Sequence, residues 1–144
     1  TPASPHLSAR IDGIAIDPNA FALPEVDGRL VVEGAGGLMV PLSEEYLLID
    51  LFARWRAPVV LCARTALGTI NHSLLSVEAL KARHIPIAGI LFVGEPHAEN
   101  ERVIPRLAGV AALGRLPRLD PLDSESLLAA MRAHVDLARI VAIL

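Results

Sequence analysis

Short apolar runs alternate along this chain with longer segments that carry apolar residues at helical spacing. The runs lie at residues 30–32, 59–63, 86–93 and 113–116 and are rich in valine, isoleucine and leucine. Such runs are typical of strands buried on both faces of a sheet, whereas apolar residues three and four apart indicate amphipathic helices. Strand–helix alternation with right-handed crossovers produces a parallel sheet. The sequence therefore predicts one α/β domain over residues 1–144.

The helix boundaries are predicted from capping residues and helix breakers. Ser43 and the two glutamates that follow it predict an acidic helix start. Thr69 or Asn71 is predicted to cap a helix that begins after the strand at residues 59–63. Ser124 is predicted to cap a terminal helix over residues 124–144.

Composition excludes several classes of protein. The chain is 53% hydrophobic and 20% charged, and its apolar runs are much shorter than the roughly 18–20 residues of a membrane helix, so we expect no membrane partner. A net charge of −3 and 3% aromatic residues argue against nucleic-acid binding. Cys62 is the only cysteine and allows no internal disulfide, which is typical of a reducing cytoplasm. Because Cys62 falls within an apolar run, it is expected to be buried and inert.

Glu33 is predicted to lie at the carboxyl end of the first strand, where open α/β sheets place their ligands. Gly34, Ala35, Gly36 and Gly37 follow it and allow main-chain N–H groups to approach an anion closely. A carboxylate beside such backbone suits a phosphate that carries Mg²⁺. A simpler alternative is a strand that ends in a tight turn, with Glu33 solvated.

A second candidate segment covers residues 67–71, between a predicted strand and a predicted helix start. Free N–H groups, the helix dipole and the Asn71 amide are suited there to an anionic ligand. An ordinary capped helix is the alternative. In a parallel sheet, the loops at residues 33–37, 64–71 and 94–97 are all expected at one edge.

Five short runs together resemble the dethiobiotin synthetase family. They read VVEGAGG at 31–37 followed by PLS at 41–43, LGTINH at 67–72, GRLP at 114–117 and SPHL at 4–7. The runs occur in that family's order and spacing across nearly the whole chain. Of these, LGTINH is the most selective, because EGAGG also occurs in related amide-forming enzymes.

The resemblance implies a P-loop NTPase-like fold with three α/β/α layers and an enzyme of biotin biosynthesis. Members of the family use ATP, Mg²⁺ and CO₂ to close the ureido ring of dethiobiotin on 7,8-diaminopelargonate. The resemblance also implies a cytoplasmic homodimer with the substrate site at the subunit interface.

Site roles are likewise implied only by this resemblance. Glu33 matches the Mg²⁺ ligand. The backbone beside substrate and phosphate corresponds to Gly34, Ala35, Gly36 and Gly37. The segment that holds the substrate carboxylate from the neighbouring subunit corresponds to Leu67, Gly68, Thr69, Ile70 and Asn71. The residues that pack the adenine correspond to Pro117 and Leu119. No catalytic residue is assigned in this portion.

The chain departs from the family pattern in two places. It has no Gly-x-x-x-x-Gly-Lys-[Ser/Thr] motif, and its only lysine, Lys81, falls within a predicted helix. Val93-Gly94-Glu95 stands where the family has an adenine-reading Asn. We therefore expect the C-terminal part of such an enzyme, lacking the P-loop and inactive alone. Two alternatives remain: an amidoligase of cobyrinate type, or a non-catalytic dimerisation or binding module.

Overall fold

The computed structural model describes residues 2–143 of the chain. Thr1 and Leu144, the ends of the predicted domain, lie outside the described residues, as does the last position of the predicted terminal helix. The elements in chain order are α1 (Pro5–Ile11), a 3₁₀ helix (Pro18–Ala20), α2 (Leu48–Trp55), β1 (Val59–Arg64), α3 (Thr69–Ala82), β2 (Ile87–Val93), α4 (Ala98–Ala108), β3 (Ala112–Leu116), α5 (Ser124–His134) and α6 (Leu137–Val141).

Within the described residues, the strands form one three-stranded sheet in the order β1-β2-β3, with both pairs parallel. Leu61 lies opposite Ile90 in the first pair, and Phe92 lies opposite Arg115 in the second. Each crossover between strands contains a helix, as parallel pairing requires. The predicted α/β class and the predicted strands at 59–63, 86–93 and 113–116 are confirmed.

The central strand β2 buries side chains on both of its faces. Ile90 and Phe92 pack in one cluster with Val77 of α3 and Ile104 of α4. Leu91 points the other way, since side chains alternate along a strand, and packs with residues of β3, α5 and α6. Helices thus cover both faces of the sheet, which gives the three-layer α/β/α arrangement expected of a P-loop NTPase-like fold.

The chain divides into two compact units. One comprises the chain up to Ala57 together with Arg83–Ile85, and the other comprises Pro58–Ala82 and the chain from Pro86 onward. The first unit contains α1, the 3₁₀ helix and α2, with its own apolar cluster around Leu42, Leu48 and Leu51. The second unit contains the sheet and the remaining helices.

The predicted strand at residues 30–32 is wrong. These residues adopt no regular structure, and the side chain of Val31 is 89% exposed. A β-branched run becomes a strand only where a neighbouring strand takes up its backbone hydrogen bonds and covers its side chains. A run of three residues cannot by itself provide the neighbouring strand or the cover for its side chains.

The predicted helix start at Ser43 is also wrong, because α2 begins five residues later at Leu48. The backbone N–H groups of Leu42 and Ser43 both donate to the Tyr46 carbonyl, which folds this segment into a turn. The helix is capped instead by Asp50, whose carboxylate accepts from the Leu47 N–H at 3.1 Å. An acidic pair next to a serine therefore marks the turn before the helix.

The predicted terminal helix is interrupted at Val135. This residue is extended, buried and paired with Gly114, and it separates α5 from α6. Its burial against β2 and β3 outweighs helical continuity. The cap of α5 is Asp123, not Ser124, since its carboxylate accepts from the Ser126 N–H at 2.8 Å. This hydrogen bond lowers the pKa of Asp123.

Candidate functional site

The 67–71 segment joins the end of β1 to the first turn of α3. Leu67 is 96% exposed, and Gly68 has φ of +90°, a backbone angle that favours glycine. Thr69 is the first helical residue and is buried, with its hydroxyl 3.4 Å from that of Ser73. Asn71 is exposed within the first turn, so neither predicted cap residue precedes the helix. The segment presents the N-terminal end of α3 to solvent.

A groove of about 510 Å³ lies against this segment. It is lined by residues 67–71 and by Leu74, His97 and Asn100. The loops after β1 and β2 therefore meet at the carboxyl edge of the sheet, which confirms the prediction for two of its three loops. The first turn of a helix leaves backbone N–H groups without intrahelical acceptors, and these suit an anionic group.

Polar contacts connect the first turn of α4 to the loop after β1. The side-chain amide of Asn100 donates to the Thr65 carbonyl at 2.9 Å, and both residues are buried. His97 Nδ1 caps α4 by accepting from the Asn100 N–H at 3.3 Å.

A second set of contacts connects α4 to the ends of β2 and β3. Arg115 donates to the Gly94 carbonyl at 3.0 Å and lies 3.4 Å from the Glu101 carboxylate. The same carboxylate accepts from the His97 N–H at 2.8 Å. Pro117 and Leu119, which follow β3, are each half-buried.

The 33–37 segment belongs to the first compact unit and is largely exposed. Glu33 was expected at the end of a strand, but it lies in irregular backbone with an exposed side chain. Gly34 approaches α2 so closely that a Cβ there would stand 2.8 Å from the ring of Phe52. Gly36 has φ of +86°, a backbone angle that favours glycine.

The expectation that Cys62 is buried is wrong. Its side chain is exposed on β1, which is an edge strand of the sheet in the described residues. An apolar run predicts burial only where both sides of its strand are covered. Cys62 instead lines a cleft of about 260 Å³ together with residues of α3.

Sequence reasoning did not identify Asn100, Glu101 and Arg115 as functional candidates. The two α4 residues read as ordinary positions of a charged helix, and Arg115 appears only within the GRLP run at 114–117, with no role of its own. Burial of Asn100 is the signal that distinguishes it, because a buried amide requires a hydrogen-bonding partner. That burial follows from tertiary packing and is not visible in the sequence.

Two further properties concern metals and membranes. Residues 2–143 contain no group of three or more His, Cys, Asp or Glu side chains that could hold a metal ion. None of the helices in this part of the chain is long and apolar enough to cross a membrane. A lone exposed carboxylate such as Glu33 fits Mg²⁺ only where phosphate oxygens and waters complete the coordination.

Comparison with known proteins gives consistent matches. Residues 1–126 match the AAA domain family. The chain is 61% identical to the ATP-dependent dethiobiotin synthetase BioD of Brucella anthropi over 95% of its length, and that match covers 65% of the relative. It is 64% identical to the protein of the same name from Rhodopseudomonas palustris strain HaA2, over 90% of the chain and 61% of the relative. The chain thus spans less than two thirds of the length of these relatives.

Proposed function

Because this chain belongs to the AAA domain family and shares about three fifths of its residues with dethiobiotin synthetases, we propose that it serves dethiobiotin synthesis. The identity to those enzymes across 90–95% of the chain is the observation that carries this proposal. It agrees with the resemblance found in the sequence motifs.

The proposed reaction closes the ureido ring of dethiobiotin. One amine of 7,8-diaminopelargonate takes up CO₂ as a carbamate, and the carbamate accepts the γ-phosphoryl group of ATP with release of ADP. The second amine then attacks the mixed anhydride and expels phosphate. Catalysis of this kind requires positioned donors for the phosphates and a separate site for the substrate carboxylate.

We assign the substrate carboxylate to the 67–71 segment. The N-terminal turn of α3 offers N–H groups, Gly68 keeps the approach open, and the Asn71 amide is exposed beside them. Thr69 is buried beneath this turn, with its hydroxyl 3.4 Å from that of Ser73. On the resemblance alone, we propose that the segment serves the site of a partner subunit in a cytoplasmic homodimer.

Nucleotide contacts are proposed for two other regions. The backbone of residues 34–37 would face the phosphates, and half-buried Pro117 and Leu119 offer apolar surface for adenine. Glu33 would hold Mg²⁺ together with phosphate oxygens and waters. The metal would supply charge neutralisation at the transferred phosphoryl group.

The test is formation of dethiobiotin by a hybrid enzyme. In this hybrid, the chain replaces the region of the Brucella anthropi relative to which it aligns. We expect ATP- and Mg²⁺-dependent conversion of 7,8-diaminopelargonate and bicarbonate to dethiobiotin. A folded hybrid that binds these ligands and forms no product would refute the enzymatic proposal and favour a binding module.

The 144-residue chain assayed alone provides the comparison. It lacks a Gly-x-x-x-x-Gly-Lys-[Ser/Thr] motif, and donors of that type stabilise the charge of phosphoryl transfer. We therefore expect no measurable ring closure by the chain alone. Product formed by the purified chain, with a contaminating enzyme excluded, would overturn this expectation.

A further inference from the structure

The first turn of α4 contacts the loop that follows β1 directly, and it reaches the ends of β2 and β3 through Arg115. Asn100 bonds to the loop after β1, and Glu101 faces Arg115 near the end of β3. Arg115 in turn bonds to Gly94, the residue that follows β2. These polar groups lie at the carboxyl edge of the sheet, where parallel α/β folds bind their ligands.

The Asn100 contact acts on the loop that leads into the 67–71 segment. Thr65 lies two residues before that segment, and both its backbone N–H and its backbone carbonyl are hydrogen-bonded. Its N–H donates to the Val93 carbonyl at 3.2 Å, and its carbonyl accepts from Asn100 at 2.9 Å. Removing the Asn100 donor leaves a buried carbonyl without this partner, which favours local opening of the loop.

The Arg115 contact acts on the other side of the same edge. Gly94 donates its N–H to the Leu116 carbonyl at 3.0 Å and accepts from Arg115 through its own carbonyl. Leu116 immediately precedes Pro117, where the adenine contact is proposed. Arg115 is itself held by Glu101 of α4.

We propose that Asn100 and Arg115 are positioning residues: Asn100 aligns the 67–71 segment and Arg115 aligns the segment after β3. The two act through one element, the first turn of α4, which sets the distance between the substrate and nucleotide segments. The identity of the two ligands rests on the proposed function, whereas the alignment of the two segments does not.

Amide hydrogen exchange of the 144-residue chain tests the alignment directly. Asn100→Asp keeps the shape and replaces the donor by an acceptor, and we expect roughly tenfold faster exchange at the Thr65 and Thr69 amides, which donate to the Val93 and Ala66 carbonyls. Exchange at the Gly94 amide, whose bond to the Leu116 carbonyl holds the segment after β3, should change less than about twofold because Arg115 still holds that segment. Arg115→Met should produce the reverse pattern.

Asn100→Ser is a second variant, and it places no charge in the buried site. The serine hydroxyl is too short to reach the Thr65 carbonyl, so this variant also loses the hydrogen bond. The same local acceleration is expected if the aspartate variant does not fold. Equal acceleration in both segments for both variants would indicate general destabilisation and overturn the proposal. Unchanged exchange in folded variants would also overturn it.

The hybrid enzyme separates this inference from the proposed function. We expect Asn100→Asp to raise KM for 7,8-diaminopelargonate by roughly tenfold with KM for ATP within about twofold, and Arg115→Met to show the opposite preference. Parallel increases in both constants for both variants would contradict separate alignment. An unsubstituted hybrid that folds and binds its ligands but forms no product would refute the proposed function, and the exchange pattern would still decide the alignment.

Discussion

Lys81 Nζ donates a hydrogen bond to the Ala108 carbonyl at 2.6 Å, which connects the last turn of α3 to the last residue of α4. The last carbonyls of a helix have no intrahelical donor and carry partial negative charge. The Lys81 ammonium group supplies a donor to the Ala108 carbonyl and places a positive charge next to the negative end of the helix. The single lysine of the chain is therefore engaged in joining two helices on one face of the sheet.

Replacing Lys81 by methionine should lower the free energy of unfolding by about 1–2 kcal/mol, because a charged donor to the α4 terminus is lost while the apolar stem is kept. Urea denaturation followed by circular dichroism measures the change. Lys81→Arg retains a cation and should recover part of the loss. Equal stability of the methionine variant and the original chain would contradict a stabilising role.

The Asp50–Arg83 pair should make the first compact unit sensitive to acid. Burial alone raises the pKa of Asp50, but the Arg83 hydrogen bond at 2.8 Å, the Leu47 N–H and the Arg83 charge lower it below the ordinary 3.8. A lowered pKa means that the ionised Asp50 stabilises the folded unit above pH 3.8. This stabilisation is lost as the pH falls through the pKa that Asp50 has in the folded state.

Asp50→Asn should therefore lower the unfolding free energy by roughly 0.5–1 kcal/mol at pH 7, a modest value because both side chains are about one third exposed. The difference from the original chain should shrink as the pH falls below 3.8 and through the lowered folded-state pKa of Asp50. Denaturant titrations from pH 7 to pH 2.5 measure this convergence. If the difference persists in an Arg83→Met background, the ion pair is not its cause.

Gly94→Ala should destabilise the sheet edge. Gly94 has φ of +127°, and a Cβ there would stand 2.7 Å from the Thr65 hydroxyl oxygen. The positive φ alone costs a non-glycine residue roughly 1–3 kcal/mol. Thermal unfolding measures the total loss.

Gly28→Ala is the matched control for this substitution, since Gly28 has φ of +117° and a Cβ added there would meet nothing within 4 Å. The additional loss at Gly94 reports the contact with Thr65. Adding Thr65→Ala should recover that additional part. Equal losses at Gly94 and Gly28 would show that the close approach has no energetic consequence.

The sheet could be predicted from the sequence because its strands are apolar runs of five to seven residues separated by helices of ordinary length. Ile87–Val93 reads as a buried strand from its residues alone, and it is the central strand of the observed sheet. Val31 and Val32 have the same character, but their run lacks a pairing strand and remains exposed. The strand propensity of these residues does not show whether a neighbouring strand is present to pair with them.

The residues of the candidate site likewise fall into two groups: those that the sequence identifies and those that only the structure reveals. Gly68 and Asn71 could be selected because a glycine and an amide between a strand and a helix have a recognisable chemistry. Asn100 could not, since its importance arises from burial next to Thr65, 35 positions away in the chain. Residues that support a site through such distant contacts become visible only in the structure.

Glu33→Gln should abolish most activity of the hybrid enzyme while leaving its fold intact. The substitution removes a charged Mg²⁺ ligand with little change of shape, and the exposed side chain packs against little. Steady-state assays at saturating ATP and Mg²⁺, with circular dichroism for the fold, measure this. Glu25→Gln, another exposed carboxylate in irregular backbone, is the matched control and should keep full activity. Near-normal turnover of the Glu33 variant would refute the metal role.

The proposed sharing of the 67–71 segment between subunits can be tested by mixing two defective hybrids. Asn71→Ala should weaken substrate binding by roughly 1–3 kcal/mol if its amide contacts a buried carboxylate. Glu33→Gln should impair the chemistry within its own subunit. Each variant alone should therefore have low activity at limiting substrate.

A heterodimer with one substitution on each chain then distinguishes two arrangements. If the site is shared, one active site receives both defects and the other receives neither. Random 1:1 exchange gives about half heterodimers, each with one intact site, so about a quarter of the original activity should return. If Asn71 acts within its own subunit, both sites of the heterodimer remain defective and no activity returns. Absence of recovery after exchange verified by differential labelling would refute the shared site and leave Asn71 as a residue of the first turn of α3.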